Sequence, residues 1–345
     1  MINCTKDHIS PQIFNMTANI IFERDWEELR GKISLGLCCI NNTLRKKKPP
    51  IFAGRTCIRK NFSLELAHER GLQNVKDIKT LIEWNRDNGI RCFRVGSDLL
   101  PHFTDKEIDS YSMDFVLNDL KQAGDLANSL GHRIVMHPGQ YNQVGAKDEK
   151  VFESTIRDLS HHADILDGMG IDQNGVLIVH GGGTYGEKDT TKRRWIERFD
   201  DLPRKVKDRL IIENCERQYN TRDCLDISQA CKIPVVFDFH HYDCWDTLQN
   251  GKQEDILDLA PEIIESWGER QVLMHVSEQG EGKVGHHSDF INKIPDDLFN
   301  IIEDHGIHVD LEVEAKGKEE AIFKLYAKYP ELFSNRLQRS NPGQK

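Results

Sequence analysis

Residues 133–142 read Arg-Ile-Val-Met-His-Pro-Gly-Gln-Tyr-Asn. Ile134 to Met136 have the look of a short buried strand, yet the run ends at once in His137 and a Pro-Gly break. Beyond the break stand an amide and an aromatic, Gln140 and Tyr141. The same plan, an apolar run closed by a polar residue, recurs along the chain. Runs at Ile33–Cys38, Cys92–Val95, Arg133–Met136, Val176–Val179, Leu210–Ile212, Val235–Phe237, Val272–Met274 and His308–Val313 predict strands. Helical periodicity fills the intervals at Leu64–Asn88, Met113–Leu130, Val151–Met169, Thr221–Ala230, Ile256–Trp267, Leu298–Asp304 and Lys318–Ala327. Gly89, Gly131 and Gly306 stand where left-handed helix ends are expected.

Strands alternating with helices favour a parallel sheet covered by helices. Eight such units with continuous apolar strands point to α/β architecture in the form of a single closed (β/α)8 TIM barrel. A barrel of this kind takes roughly 250 residues, so a chain of 345 residues leaves room for extensions. The expected division is an N-terminal extension at 1–30, a barrel domain at 31–337 and a polar tail at 338–345.

Composition narrows the class. Hydrophobic content of 38% and charged content of 30% are ordinary for a soluble globular protein. No apolar run approaches the eighteen or so residues of a membrane span, and the first thirty residues lack a signal-peptide plan. The nine cysteines show no CxxC spacing, which suggests reduced thiols in an intracellular protein and argues against cysteine-held zinc. A net charge of -10 speaks against a nucleic-acid partner, but its distribution speaks for one. Arg45, Lys46, Lys47, Lys48, Arg55, Arg59 and Lys60 form one cluster, and Lys188, Lys192, Arg193 and Arg194 a second. Both are expected on loops beside the mouth of the barrel.

The strand ends carry the chemistry. Strands three to eight close in His137, His180, Glu213, Asp238, His275 and Glu314. In a TIM barrel the C-terminal ends of the strands converge on one mouth, where active sites lie. His241 reaches the same mouth from three residues beyond Asp238, and the loop after strand seven offers His286 or His287. A lone strand-end histidine is more often a cap on a backbone carbonyl. Six polar strand ends in series are costly to bury together unless cations compensate them. Mixed imidazole and carboxylate donors suit zinc, manganese or iron, and so many donors suit more than one ion. Paired divalent ions suit in-line displacement at phosphorus, and a basic rim suits a phosphate-backbone polymer.

At this point the motifs match a known family. HPGQY (137–141), VHGGGTYGEK (179–188), IEN (212–214), FDFHH (237–241), MHVSE (274–278), HHSDFI (286–291) and EVEAKGKE (312–319) resemble the UV damage endonucleases, relatives of the endonuclease IV barrels. The resemblance runs in order from Ser34 to Ala327. It implies a metal-dependent DNA repair enzyme that nicks the strand immediately 5′ to a UV photoproduct and leaves a 3′-hydroxyl. It implies two or three divalent ions, manganese first, with zinc, magnesium or cobalt as alternatives. Their ligands would be His137, His180, Glu213, Asp238, His241, His275, His287 and Glu314, with Glu213 bridging; Glu213 and Glu314 would be catalytic. It also implies that Gln140 and Tyr141 insert beside the lesion and that Asn41 contacts the lesion or its backbone.

Damaged double-stranded DNA is then the expected partner, with no membrane, no obligate protein partner and a monomeric state. The expected location is intracellular: cytoplasm or nucleoid, or the nucleus in a eukaryote. Two departures stand out. Leu37 replaces an aromatic that the family carries after the first-strand glycine, and Leu273 replaces a family lysine near the metals. Two other readings fit the same barrel. A sugar isomerase of the xylose-isomerase kind predicts a small closed pocket with no use for basic loops. A damage-binding protein with degenerate metal sites predicts no cutting.

Overall fold

All eight predicted strands form, each within a residue or two of its expected bounds. They are β1 (Ile33–Cys38), β2 (Cys92–Val95), β3 (Arg133–Met136), β4 (Leu177–His180), β5 (Leu210–Glu213), β6 (Val235–Asp238), β7 (Val272–Val276) and β8 (Val309–Val313). They run parallel in chain order around a closed barrel, with β8 pairing back onto β1. The structure, a computed structural model, describes residues 24, 26–108, 110–249 and 251–334. Of the expected extension 1–30, residues 1–23 and 25 lie outside the described residues, as do residues 335–337 and the tail 338–345. Among the described residues no helix is long and apolar enough to cross a membrane.

Strand register decides what the barrel holds. Partners in register share a face of the sheet. His180 pairs with Glu213, Asp238 with His275, and His275 with Glu312, which in turn pairs with Gly36. These positions face the barrel interior. The alternate positions, such as Leu35, Leu37, Phe93, Val179, Ile212, Phe237, Met274 and Val313, turn outward beneath the helices and are buried. Burying each such side chain contributes about 1.5–3 kcal/mol, so the main apolar core is the layer between strands and helices. The interior is thereby freed for polar groups. At its lower end Arg133 on β3 pairs with Asp310 on β8 at 2.9 Å.

The helices keep their expected places. Ser63 caps Leu64–Asp87 by accepting from the Leu66 amide at 3.1 Å, and Asp148 caps Glu149–Met169 through the Lys150 amide at 2.7 Å. The expected left-handed ends occur at Gly89, Gly131 and Gly306, with φ of 74°, 58° and 64°. Among the described residues five α-helices escaped the sequence reading: Trp26–Leu29, Asn42–Arg45, Lys188–Phe199, Arg204–Lys207 and Phe239–Gln249. In Lys188–Phe199 only Thr191, Trp195 and Phe199 are buried, a stripe of one residue per turn that is too narrow to register as amphipathic. Phe239–Gln249 begins directly where β6 ends, with no glycine or proline to mark the change.

Candidate metal centre

The residues that end β3 to β8 meet around one carboxylate. Glu213, the last residue of β5, is 1% exposed. Its Oε2 lies 2.8 Å from His137 Nε2 and 3.5 Å from His180 Nε2. Its Oε1 lies 3.0 Å from His275 Nδ1 and 3.4 Å from His241 Nδ1. Asp238 ends β6 and is fully buried; its Oδ1 accepts from the His241 amide at 2.6 Å. Two donor sets result, His137–His180–Glu213 and Glu213–Asp238–His241, each with ligand atoms within 4.8 Å of one another and both including Glu213.

Glu314, just past β8, completes the wall. Its Oε2 stands 3.7 Å from His287 Nδ1. The two loop histidines point different ways: the His286 ring turns back onto the Glu281 carbonyl of its own loop, at 3.3 Å. All eight sequence-predicted ligands therefore gather at one mouth; six of them, with Gln140, line a cavity of about 270 Å³, and Asp238 and His275 are buried beside it.

Three residues of the site were not anticipated. Glu312 is fully buried, with Oε2 2.9 Å from His275 Nε2. Arg94 on β2 extends across the interior, its Nη2 2.5 Å from Glu314 Oε1 and its Nη1 3.7 Å from Glu312 Oε2. Asn214 ties β5 to β6: its Oδ1 accepts from the Asp238 amide at 2.8 Å and its Nδ2 donates to the Asp238 carbonyl at 3.0 Å. The Asn214 carbonyl also faces His241 Nδ1 at 3.0 Å. A signal for Glu312 was present in Asp310, Glu312 and Glu314, spaced by two along one strand and so pointing the same way.

The electrostatics match a cation site. Inside the barrel Glu213, Asp238, Asp310, Glu312 and Glu314 face two guanidiniums, Arg94 and Arg133. Burial would push the Glu213 carboxyl up, but His180, His275 and His137 hold it well below the usual carboxylate range. Burial likewise opposes ionisation of Glu314, which Arg94 and His275 keep charged. Burial pushes His180 down to about 4, against the pull of Glu213. Asp238 Oδ2 and His180 Nδ1 are buried without a hydrogen-bond partner. A carboxylate excess, orphaned donor atoms and a shared glutamate are what a site for divalent cations presents.

The outer residues diverge from expectation. Tyr141 is 61% exposed and Gln140 is exposed beside it. Asn41 does not join them: it is fully buried and caps the helix Asn42–Arg45 by accepting from the Leu44 amide at 2.8 Å. Leu37 is fully buried too, between Phe93 and Val313 on the outward face of the sheet, so this position offers no stacking surface to DNA. Leu273 points inward below His275, beside Asp310, and Arg94 brings a positive charge to Glu314 from β2, two strands away past β1.

The second basic cluster lies on a helix, and its lysines are engaged. Lys188 and Lys192 pair with Asp223, and Lys192 also reaches Asp226 at 2.5 Å. In the first cluster Arg55 is held by Asp77 at 2.8 Å and Arg59 by Asp105 at 2.7 Å. Lys47, Lys48 and Lys60 remain exposed with no ion pair among the described residues.

Comparison with known proteins agrees with this geometry. The family model described as UV-endonuclease UvdE matches residues 33–339. The chain belongs to the UvdE family. Within it, the chain is 34% identical to a "Putative UV-damage endonuclease" of Acanthamoeba polyphaga mimivirus, over 90% of this chain and 95% of that one. It is 36% identical to the "UV-damage endonuclease" of Schizosaccharomyces pombe, over 87% of this chain but only 51% of the yeast protein. The crystal structure of SacUVDE superposes with a TM-score of 0.77 at 30% identity, covering 87% of this chain and 99% of that one. The UvdE family is thus one of endonucleases on a TIM barrel, and its membership does not favour the sugar-isomerase reading.

Proposed function

We propose that the chain is a metal-dependent endonuclease that cuts UV-damaged double-stranded DNA immediately 5′ to the photoproduct and leaves a 3′-hydroxyl. The same cut would serve other distorting lesions and abasic sites. The observation that carries this reading is Glu213, shared by two donor sets at the open end of a UvdE-family barrel.

His137 and His180 on one side, and Asp238 and His241 on the other, would hold two divalent ions with Glu213 between them; His275, His287 and Glu314 would complete the set or hold a third. Manganese is the first choice, with zinc, magnesium or cobalt as alternatives. When bound, such ions supply Lewis-acid stabilisation of the charge that builds on a phosphodiester and lower the pKa of water. The chain's own part is to fix geometry. Glu213 and Glu314 are the catalytic carboxylates. Asn214 sets Asp238 and His241 in place, and Arg94 holds Glu314 ionised against burial. Gln140 and Tyr141, exposed at the surface, would fill the space that a displaced damaged base leaves, a step that is cheapest where the duplex is already distorted. Lys47, Lys48 and Lys60 would meet backbone phosphate. We propose that the protein acts as an intracellular monomer without an obligate partner.

The test uses end-labelled UV-irradiated, abasic and undamaged duplexes with Mn²⁺ and after chelation. A nick 5′ to the photoproduct that disappears on chelation is the expected result. Binding to damaged duplex without cutting in any divalent metal would leave only a damage-binding protein.

A further inference from the structure

We propose that Asp158 is a positioning residue for damage recognition, a buried carboxylate that sets Tyr141 before DNA arrives; this rests on the reading of Tyr141 as a damage contact. Asp158 lies on the helix Glu149–Met169 and is 3% exposed. Its Oδ1 accepts from the Tyr141 hydroxyl at 3.1 Å and from Thr104 Oγ1 at 2.8 Å. Its Oδ2 accepts from Asn142 Nδ2 at 2.8 Å, and His162 Nδ1 stands 3.5 Å away. One carboxylate thus joins the loop after β2, the loop after β3 and the helix between β3 and β4.

A second tie lies nearby, where Thr155 Oγ1 accepts from the Gln143 amide at 2.9 Å. The ring is seated as well as tethered: a Cβ added to Gly139 would fall 2.5 Å from Tyr141 Cε1, so the ring rests on bare backbone. Tyr141 is 61% exposed, yet its hydroxyl is anchored and its inner edge supported. A side chain ordered in advance need not be ordered by the ligand, which favours binding. A buried carboxylate is tolerated only when its acceptors are filled. Here two of the donors come from the segment that carries the exposed pair.

The experiment measures, by anisotropy under chelation, the ratio of affinities for a UV-damaged and an undamaged duplex. Tyr141→Phe removes the tether and keeps the ring. Asp158→Asn keeps Oδ1 for Tyr141 and Thr104. Asp158→Ala removes every acceptor. The ratio should fall about tenfold or more in Asp158→Ala and in Tyr141→Phe, as loss of a hydrogen bond to a charged group predicts. Asp158→Asn should recover most of it. Adding Tyr141→Phe to Asp158→Ala should change nothing further. If Asp158→Ala does not fold, Tyr141→Phe and Asp158→Asn still decide, because neither empties the site.

Parental ratios in Asp158→Ala and Tyr141→Phe, with a reduced ratio in Tyr141→Ala, would overturn the positioning role alone. An unchanged ratio in Tyr141→Ala would overturn the damage-contact reading and this proposal with it.

Discussion

At the mouth of the barrel Glu213 is 1% exposed and touches His137, His180, His241 and His275, each delivered by a strand end or by the first turn of a helix. At the rim Tyr141 is 61% exposed and sits on a turn, tethered through its hydroxyl. Mouth residues gain their places from barrel geometry, which fixes many side chains at once. Rim residues gain theirs from individual polar contacts to neighbouring elements. The mouth should therefore fail all together, and the rim by degrees.

The largest effect should come from Glu213→Gln. Losing the carboxylate common to both donor sets should remove cutting to below detection while binding to damaged duplex stays within a few-fold, read by nicking and anisotropy side by side. A mouth that still cuts would mean that the ends of the strands do not act as a unit. Asn214→Ala comes next. It touches no proposed ion, yet its side chain holds the backbone of Asp238 through both amide atoms, so metal affinity should fall about 10–100-fold, as for other outer supports of metal ligands, read by metal titration of the apoprotein. In the same titration, metal at about 100 times its Kd should raise unfolding stability by about 2.7 kcal/mol in the parent, and far less in Glu213→Gln.

At the rim, Tyr141→Ala should reduce selection of damaged over undamaged duplex by about 1–3 kcal/mol without abolishing cutting. Equal selection would collapse the distinction between mouth and rim. The smallest effect belongs to the exposed lysines. Replacing Lys47 or Lys48 with Gln should weaken binding to all duplexes alike and lower the slope of log affinity against log salt by about one each.

The two regions also differed in how much of them could be read in advance. Barrel strands are buried on both faces, so β1, β2 and β3 stand out as apolar runs and were bounded to the residue. A polar residue closing such a run is conspicuous, and that made His137, His180, Glu213 and Asp238 legible. Arg94 was not, because its partner Glu314 follows the last strand and only closure of β8 onto β1 brings them together. Glu312 was hidden by its neighbours, since an acid within a strand looks like an exposed edge until register turns it inward. The rim was legible as a motif but not as a structure. Asn41 looked like a loop amide and proved to be a buried cap, because a capping asparagine and a ligand-binding one have the same local sequence. The lysines of 188–194 looked like a positive rim until folding set Asp223 and Asp226 against them.

The direct junction of β6 with the following helix has a consequence for how this protein can change. Elsewhere around the mouth, loops separate one strand end from the next helix, and added length can be taken up where the loop holds no ligand. Between Asp238 and His241 there is no such slack: both belong to one continuous strand-to-helix rod. One residue inserted there would rotate His241 by about 100° around the helix axis and turn it out of the mouth. Length variation among working descendants of this chain should therefore gather in the loop after β2, which carries no proposed ligand, and stop at this joint.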